Sequence, residues 1–221
     1  MAGINKLLLL GATGRTGREV LDLALSKGYR VNVLVRDRKK VHHKHVNLLV
    51  FEGDTRIPKD LHPSMDGCQA VISCLNISRT SDFPWAPLRT PENFLSLTMK
   101  NLIGACHDKD VKRLVFTSAW GVGESVNTLP AWFSWLIDNS NIAPAYLEHE
   151  RQESMVRNSG LDWTIVRPVG LVNSKKRKPV KVILNNHERP SLTISRKDTA
   201  GFLLDSLENR KLIHHIPLIC S

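Results

Sequence analysis

Short apolar runs alternate with amphipathic segments along most of the chain. An apolar run of about four to eight residues bounded by turn residues is typical of a buried strand, whereas apolar residues three and four apart are typical of a helix. Strands that alternate with helices predict an α/β fold with a parallel sheet. The runs that predict strands cover residues 6–10, 31–35, 46–51, 70–75, 111–118, 161–166 and 216–219.

Helix boundary signals lie between these runs. Residues 58–65 and 91–107 each begin with a proline, and Thr90 is the predicted cap of the second helix. Residues 146–158 are strongly helical and are followed by Gly160, a typical helix stop. These segments have the length that crossovers between parallel strands require.

The C-terminal third contains weaker signals. Segments 180–184 and 191–194 predict a β-hairpin. Ser195 and Asp198 resemble a capping box for a helix that runs through Leu207. We therefore expect a small C-terminal substrate lobe attached to the main sheet.

The stretch KLLLLGATGRTG at residues 6–17 carries the most specific signal. Gly11 permits a tight turn out of the strand, Gly14 lets a pyrophosphate approach the backbone, and Gly17 lets the helix pack close to the sheet. The free N–H groups at the start of the helix then face the phosphates. The stretch predicts a dinucleotide site; a plain glycine-rich loop is the alternative.

Length and composition restrict the class of protein. The chain has 221 residues and an apolar fraction of 42%, which suits one α/β domain. No apolar run approaches the ~20 residues of a membrane span, and LLLL is too short for a signal peptide. The four cysteines are widely spaced without a metal-binding pattern, so a reduced, cytoplasmic protein without a metal is expected.

The net charge of +10 favours an anionic partner. Arg36 ends the second predicted strand, where an acidic residue would bind the ribose of NAD, and Arg15 lies within the glycine loop. Two guanidinium groups can clamp a phosphate, so the pattern predicts NADPH. In the alternative, Asp37 binds the ribose and Arg36 faces solvent.

Further polar residues give less specific signals. Asp54 follows the third strand and either meets the adenine amino group or is a turn aspartate. The histidines 42, 43 and 45 lack the neighbours of a metal site and predict a solvated loop. The basic run 175–178 is likewise interpreted as a solvated loop without a nucleic-acid role.

Two segments rich in aromatic residues follow the fourth and fifth strands. The long loop 76–91 contains Arg79, Phe83 and Trp85, and long loops at the carboxyl end of a sheet usually carry function. Residues 129–137 hold three aromatic side chains and form either a helix face or a lid over the site; packing of these side chains in the core is the alternative.

Together these pieces resemble the atypical short-chain dehydrogenases/reductases, most of all the flavin reductase/biliverdin-IXβ reductase and NmrA-like group. The resemblance implies a single Rossmann domain over residues 1–221, with six or seven parallel strands and helices on both faces. The matching pieces are GATGRTG at Gly11, VLVRD at Val33, GD at Gly53, AVI at Ala70, FTSA at Phe116, SGLDWTIVRP at Ser159 and ISRKDTAGF at Ile194.

The resemblance also implies site residues. Arg36 matches the 2′-phosphate arginine, Ser118 the serine after strand five, and Arg79 lies near an arginine of the flavin reductase substrate loop. The implied cofactor contacts in the pyrophosphate loop, the adenine pocket, the nicotinamide ribose and the end of strand six are Gly11, Thr13, Gly14, Arg15, Thr16, Gly17, Asp54, Thr55, Leu75, Asn76 and Pro168.

The chain departs from the common catalytic pattern of these families. Most members pair a tyrosine with a lysine four residues on, and the lysine lowers the tyrosine pKa. Here Ala145 and His149 occupy those positions, and Tyr146 is one residue off. His149 matches a histidine of the flavin reductase type, whose substrates accept a hydride at a conjugated ring.

Two functional hypotheses follow. One is an NADPH-dependent reductase of flavin-like acceptors, whose pocket is made by Ser118, Trp120, His149 and the loops 76–91 and 120–146, with Tyr146, Arg79 and Trp85 as further candidates. The other is a non-catalytic NADP(H) sensor of the NmrA type. We expect a small-molecule substrate, no nucleic acid, no membrane and a monomer or weak homodimer.

Overall fold

The computed structural model describes residues 3–174, 176–185 and 188–221. Its main feature is an eight-stranded sheet in the order β3-β2-β1-β4-β5-β6-β10-β8. Seven of these strands are parallel, and β8 pairs antiparallel with β10 at one edge. The strands are β1 Lys6–Leu10, β2 Arg30–Val35, β3 Leu48–Glu52, β4 Ala70–Ser73, β5 Arg113–Thr117, β6 Asp162–Pro168, β7 Gly170–Val172, β8 Lys181–Ile183, β9 Thr193–Ser195 and β10 Leu218–Cys220.

Helices cover both faces of this sheet. Leu7 and Leu9 of β1 point to the face covered by α1 and α6, whereas Leu8 and Leu10 point to the opposite face. Because both faces are buried, β1 and β4 are continuously apolar rather than alternating. The α-helices are α1 Arg15–Ser26, α2 Pro58–Ser64, α3 Phe94–Asp108, α4 Ala131–Asp138, α5 Ala143–Arg157 and α6 Arg196–Glu208. The predicted doubly wound α/β fold is confirmed.

The strand order indicates where a ligand site forms. The order reverses at β1, whose two neighbours are β2 and β4, so that Leu10 lies beside Leu34 of β2 and Ser73 of β4. A crevice forms at such a switch point, at the carboxyl ends of the strands. The loops that follow β1 to β6 therefore meet at one edge.

Two local predictions were wrong. The predicted hairpin does not form, because β8 pairs with β10 whereas β9 pairs in parallel with β7 in a separate two-stranded sheet. Thr90 does not cap α3, which begins at Phe94; its hydroxyl accepts a hydrogen bond from the backbone N–H of Ser78 instead. In both cases the predicted partner was the nearest one in the sequence, and the segment or side chain pairs with a more distant one instead.

Other local predictions were confirmed. The Ser195 hydroxyl accepts from the Asp198 N–H and caps α6. Gly160 follows α5 with a φ of 71°, as a helix stop does. Within the described residues, no helix combines the length and the apolar character needed to cross a membrane.

Candidate functional site

A cavity of about 420 Å³ opens at the carboxyl edge of the sheet. Its lining comes from the turns after β1 to β6, with a contribution from the start of α6. The structure brings most of the predicted site residues into this one lining: Gly11, Thr13, Gly14, Arg15, Thr16, Arg36, Asp54, Thr55, Leu75, Asn76, Arg79, Ser118, His149 and Pro168.

Two of the glycines after β1, Gly11 in the turn and Gly17 in the first turns of α1, lie so close to neighbouring backbone that a Cβ would not fit. Gly11 has a φ of 82°, and a Cβ there would lie 2.9 Å from the backbone of Cys74. A Cβ on Gly17 would lie 2.1 Å from the carbonyl oxygen of Gly11. These contacts place the start of α1 against the end of the sheet, as the sequence predicted, and Gly17 itself stays outside the cavity lining.

The first turn of α1 is suited to an anion. Gly14 is its N-cap and offers no side chain to the free amides, and the first turn contains no acidic residue. Thr13 and Thr16 line the cavity on either side of it. The helix dipole and the free N–H groups therefore favour a phosphate at this position.

The part of the cavity predicted to bind the adenosine lies at the carboxyl ends of β2 and β3. The side chain of Arg36 is exposed and makes no hydrogen bond or ion pair within the part of the chain that the structure describes, although its charge helps to lower the pKa of Asp54. Asp54 is held by Arg56 through Nε at 3.0 Å and Nη2 at 2.6 Å, and these hydrogen bonds lower the pKa of Asp54. The Asp54 carboxylate is therefore engaged by a neighbouring turn residue, as in the turn-aspartate alternative.

Arg15 is not free to clamp a phosphate together with Arg36. Its Nη1 and Nη2 donate to the two carboxylate oxygens of Asp82 at 2.8 and 2.7 Å. Asp82 lies in loop 76–91, so this bidentate pair joins the glycine loop to the long loop after β4. Of the two arginines predicted to clamp a phosphate, Arg15 is thus paired with a carboxylate in this structure, and only Arg36 is left without one.

Thr55 and Leu75 line the middle of the cavity. The Thr55 hydroxyl is hydrogen-bonded to that of Thr98 on α3 at 2.8 Å, which fixes its rotamer. Leu75 packs partly buried against the apolar cluster of Phe94 and Leu95. Both residues shape the wall, and neither presents a free polar group from its side chain.

Ser118 and His149 face the cavity at its other half. The Oγ of Ser118 is buried and has no hydrogen-bond partner in the described residues. His149 is 2% exposed; its Nδ1 accepts from Gln152 Nε2 at 2.7 Å, and its Nε2–H donates to Asn76 Oδ1 at 3.2 Å. Burial lowers the pKa of His149 to about 4, so its ring is neutral at pH 7.

Besides Gly17, three predicted residues lie outside the cavity lining. Trp120 is 3% exposed and donates its ring N–H to Thr128, so it is a core residue. The Tyr146 hydroxyl donates to the carbonyl of Trp120 at 3.1 Å, and burial raises the pKa of Tyr146. Trp85 is 44% exposed and donates to the carbonyl of Asn139 at 2.7 Å.

The remaining sequence candidates carry no described ligand function. The aromatic run 129–137 forms α4, where Phe133 packs on the core and Trp132 and Trp135 are exposed. In the basic run, Lys175 lies outside the described residues, and positions 176–178 are exposed. His43 pairs with Asp22, and no described group of three or more His, Cys, Asp or Glu side chains could hold a metal ion.

Sequence reasoning missed three residues of the site. Asp82 and Gln152 act as partners of predicted residues, and Arg196 lines the cavity from the first position of α6. The motif ISRKDTAGF contains Arg196, so the signal was present. The pairing of Asp82 with Arg15 spans 67 residues and left no local pattern.

Comparison with known proteins now identifies the family. A family described as NAD(P)H-binding matches residues 11–210. The chain belongs to this NAD(P)H-binding family. The match confirms the predicted cofactor class and, at the level of the family, the prediction of an oxidoreductase.

Two curated relatives show how far the similarity extends. A chloroplastic protein of Arabidopsis thaliana is 29% identical over 182 residues, which are 76% of this chain and 60% of that protein. Photosystem II assembly factor Ycf39 of Trieres chinensis is 35% identical over 122 residues, which are 55% of this chain and 36% of that protein. The chain thus spans less than two thirds of the length of either relative.

Solved structures share the fold. The anaerobilin reductase ChuY of Escherichia coli O157:H7 superposes with a TM-score of 0.80 at 20% identity, covering 97% of this chain and 96% of that one. A short-chain dehydrogenase/reductase of Veillonella parvula in complex with NADP has a TM-score of 0.79 at 16% identity, covering 99% and 95%. The predicted resemblance to atypical short-chain dehydrogenases/reductases is confirmed.

The residues of the cavity fit an NAD(P)H molecule. Ser118 Oγ and Arg79 Nε are the two buried side-chain polar atoms without a partner in the described chain, and both residues line this cavity. Buried polar atoms are normally hydrogen-bonded, so these two indicate a polar ligand. The uncapped first turn of α1 supplies the anion site that a pyrophosphate needs.

Proposed function

We propose that the protein is an NADPH-dependent reductase that transfers a hydride to a flavin-like or other conjugated small molecule. The observation that supports this most is the unpartnered Ser118 hydroxyl at one half of the cavity, with the glycine loop between it and the exposed Arg36. A dinucleotide laid along the carboxyl edge of the sheet would meet all three in turn.

Each half of the cavity has a binding role in this proposal. The first turn of α1 holds the pyrophosphate, and Arg36 selects the 2′-phosphate of NADPH. Ser118 and Asn76 orient the nicotinamide, and His149 keeps Asn76 in place through its Nε2–H. NADPH supplies the hydride when bound, so the chain has to align two rings and exclude water around them.

Neither His149 nor Tyr146, the two described candidates for a general acid, can readily deliver a proton to the cavity. His149 is neutral, with both ring nitrogens engaged by Gln152 and Asn76. The Tyr146 proton is directed to a backbone carbonyl outside the cavity lining, and burial raises its pKa. General acid catalysis is typically worth ~10²–10⁴-fold, and a conjugated acceptor can take its proton from solvent instead.

The test is NADPH oxidation by the purified protein with a panel of FMN, a quinone and a linear tetrapyrrole. We expect turnover of at least one acceptor, and a decrease of less than about tenfold in Tyr146→Phe and His149→Gln, below the range of a catalytic acid. A thousandfold fall in either variant with NADPH affinity intact would reveal such an acid. Absence of turnover by the wild type with all acceptors would refute the reductase proposal.

A second candidate is a non-catalytic NADP(H)-responsive binding module. Four exposed aromatic side chains favour it: Trp85, 44% exposed, with Phe83, Trp132 and Trp135, each 60% or 61% exposed. Trp85 is hydrogen-bonded to Asn139 at the end of α4, so loop 76–91 and α4 present these rings together. Relatives named as photosystem II assembly factors fit a binding role as well.

The same measurements separate the two candidates. A sensor binds NADPH in a titration but does not consume it with any acceptor in the panel. A cytoplasmic location and a monomer or weak homodimer stay predictions; size-exclusion chromatography with light scattering tests the second of them with and without NADPH.

A further inference from the structure

Three arginine side chains from separate elements line the cavity together with one carboxylate, that of Asp82. Arg15 begins α1, Arg79 lies in loop 76–91, and Arg196 begins α6. Hydrogen bonds from Arg15 are the main reason that the pKa of Asp82 lies below its usual value, and the charges of Arg196 and Arg79 add to the effect. All four groups therefore share one electrostatic environment.

This cluster has an excess of positive charge. Asp82 neutralises one of the three arginines, which leaves two positive charges without a carboxylate among these four groups. Arg79 has a buried Nε without a partner in the described residues, and the one hydrogen bond described for the Arg196 guanidinium runs from Nη1 to Asn173 at 2.8 Å. Desolvated guanidinium groups with unused donors are the groups that recognise phosphates and carboxylates.

Asp82 is easily displaced from the cluster. Its side chain is 77% exposed, that of Arg15 is 58% exposed, and the residue lies on a long loop. An exposed ion pair adds little to stability because water and salt screen it. A ligand anion that meets all three arginines can replace the Asp82 carboxylate at small cost.

Two of the three arginines follow strands that lie on the same side of β1 as Ser118. Arg36 and Asp54 follow β2 and β3, on one side of β1 in the sheet. Arg79 follows β4, and Arg196 follows β9, which pairs with the β7 strand directly after β6. The strands β4 to β6 lie on the other side of β1, together with Ser118. An anion bound by Arg79 and Arg196 is thus remote from the 2′-phosphate position.

We propose that Arg15, Arg79 and Arg196 form a subsite for an acidic substituent of the acceptor, a phosphate or a carboxylate, and that Asp82 occupies this subsite when no acceptor is bound. The inference rests on the proposed reductase function and names its substrate class: a conjugated ring that carries an acid group. The same arginines could instead meet the pyrophosphate of the cofactor, so the test compares both sources of the anion.

FMN and riboflavin are matched probes, because they carry the same ring and differ in one phosphate. Arg196→Met removes the charge, keeps the length of the side chain and leaves the Ser195 cap of α6 intact. Arg30→Met is the control, since Arg30 begins β2 at the opposite edge of the sheet. We expect Arg196→Met to lower kcat/KM for FMN about tenfold or more, because a charge-assisted contact is lost. Riboflavin turnover and the Kd of NADPH should stay as in the control.

Asp82→Asn is the complementary variant. It removes the competing carboxylate, so the KM for FMN should fall while that for riboflavin stays unchanged. If Arg196→Met lowers kcat/KM for both flavins and also weakens NADPH binding, the cluster binds the cofactor instead, and the proposal is overturned. Equal kcat/KM for FMN in Arg196→Met and the wild type would overturn it as well.

A binding measurement keeps this inference separate from the reductase proposal. Quenching of flavin fluorescence by the NADP⁺-loaded protein reports affinity without turnover. Tighter binding of FMN than of riboflavin, lost in Arg196→Met, supports the subsite even if neither flavin is reduced; equal binding of the two flavins overturns it. Unfolding midpoints that match the wild-type value show that the variants are folded.

Discussion

Replacing His149 by glutamine should change how the stability of this protein depends on pH. Burial lowers the pKa of the folded-state imidazole to about 4 from its ordinary value of 6.5, against the opposing charges of Glu153 and Glu148. Between these two pH values the unfolded chain binds a proton at position 149 and the folded chain does not. Stability from the neutral ring is therefore fully present above about pH 6.5 and is lost as the pH falls towards 4.

The pKa difference sets the size of the effect. A shift of about 2.5 units at ~1.4 kcal/mol per unit corresponds to about 3 kcal/mol of unfolding free energy across this window. His149→Gln cannot titrate, so this part of the pH dependence should vanish. At pH 7 the variant should lose about 1 kcal/mol, since the acceptor for the Gln152 amide is removed.

Urea unfolding of both proteins at several pH values between 4 and 7 measures the difference. Carboxylates that do not interact with His149 contribute equally to both curves, so subtracting one curve from the other isolates position 149 together with its neighbours Glu148 and Glu153. His42→Gln, in an exposed loop, is the matched control and should follow the wild type. Parallel curves for His149→Gln and the wild type would mean that the folded-state histidine titrates normally and that the described hydrogen bonds do not keep it neutral.

Three further predictions concern the cofactor site and the core. Arg36→Ala should weaken NADPH binding about tenfold or more and leave NADH nearly unchanged, because a hydrogen bond to a charged group is lost; equal weakening in a titration of both would contradict the assignment. Gly14→Val should fold, since its φ of −77° suits any residue and its Cβ, 3.2 Å from the Gly11 carbonyl oxygen, needs only a shift of a few tenths of an ångström in the loop, but it should lose dinucleotide binding in calorimetry. Glu153→Ala should lower the unfolding free energy by about 3 kcal/mol, because the fully buried Arg167 loses its 2.6 Å partner. A loss below about 1 kcal/mol on urea unfolding would show that Glu124 alone satisfies this arginine.

Interactions between neighbouring positions in the chain were readable from the sequence. The strand, the glycine turn and the first helix form one continuous segment, and Gly11 and Gly17 are required where the motif placed them. Ser195 caps α6 three residues from its partner. In these cases the backbone geometry needs a particular residue type at a particular spacing, so the residue type alone carries the information.

Charged and polar side chains near the site were harder to place. Arg15 was expected at a phosphate and binds Asp82, whereas Asp54, for which both the adenine and a turn role were open, binds Arg56. Each residue type suits both partners equally well. The residue types show which groups can form an ion pair. Which of several possible partners is close enough depends on how the loops pack in the folded protein.

The sequence by itself thus determined the parallel sheet, the dinucleotide loop and the edge at which the cavity opens, because these follow from periodicity and from glycine spacing. The tertiary structure alone decided that β8 joins β10, that Tyr146 and Trp120 lie outside the cavity lining, and that Arg15 pairs with Asp82 in a lining that also contains Arg79 and Arg196. Each of these contacts joins segments that are distant in sequence. Such contacts depend on how the segments pack in three dimensions, which no local sequence pattern specifies.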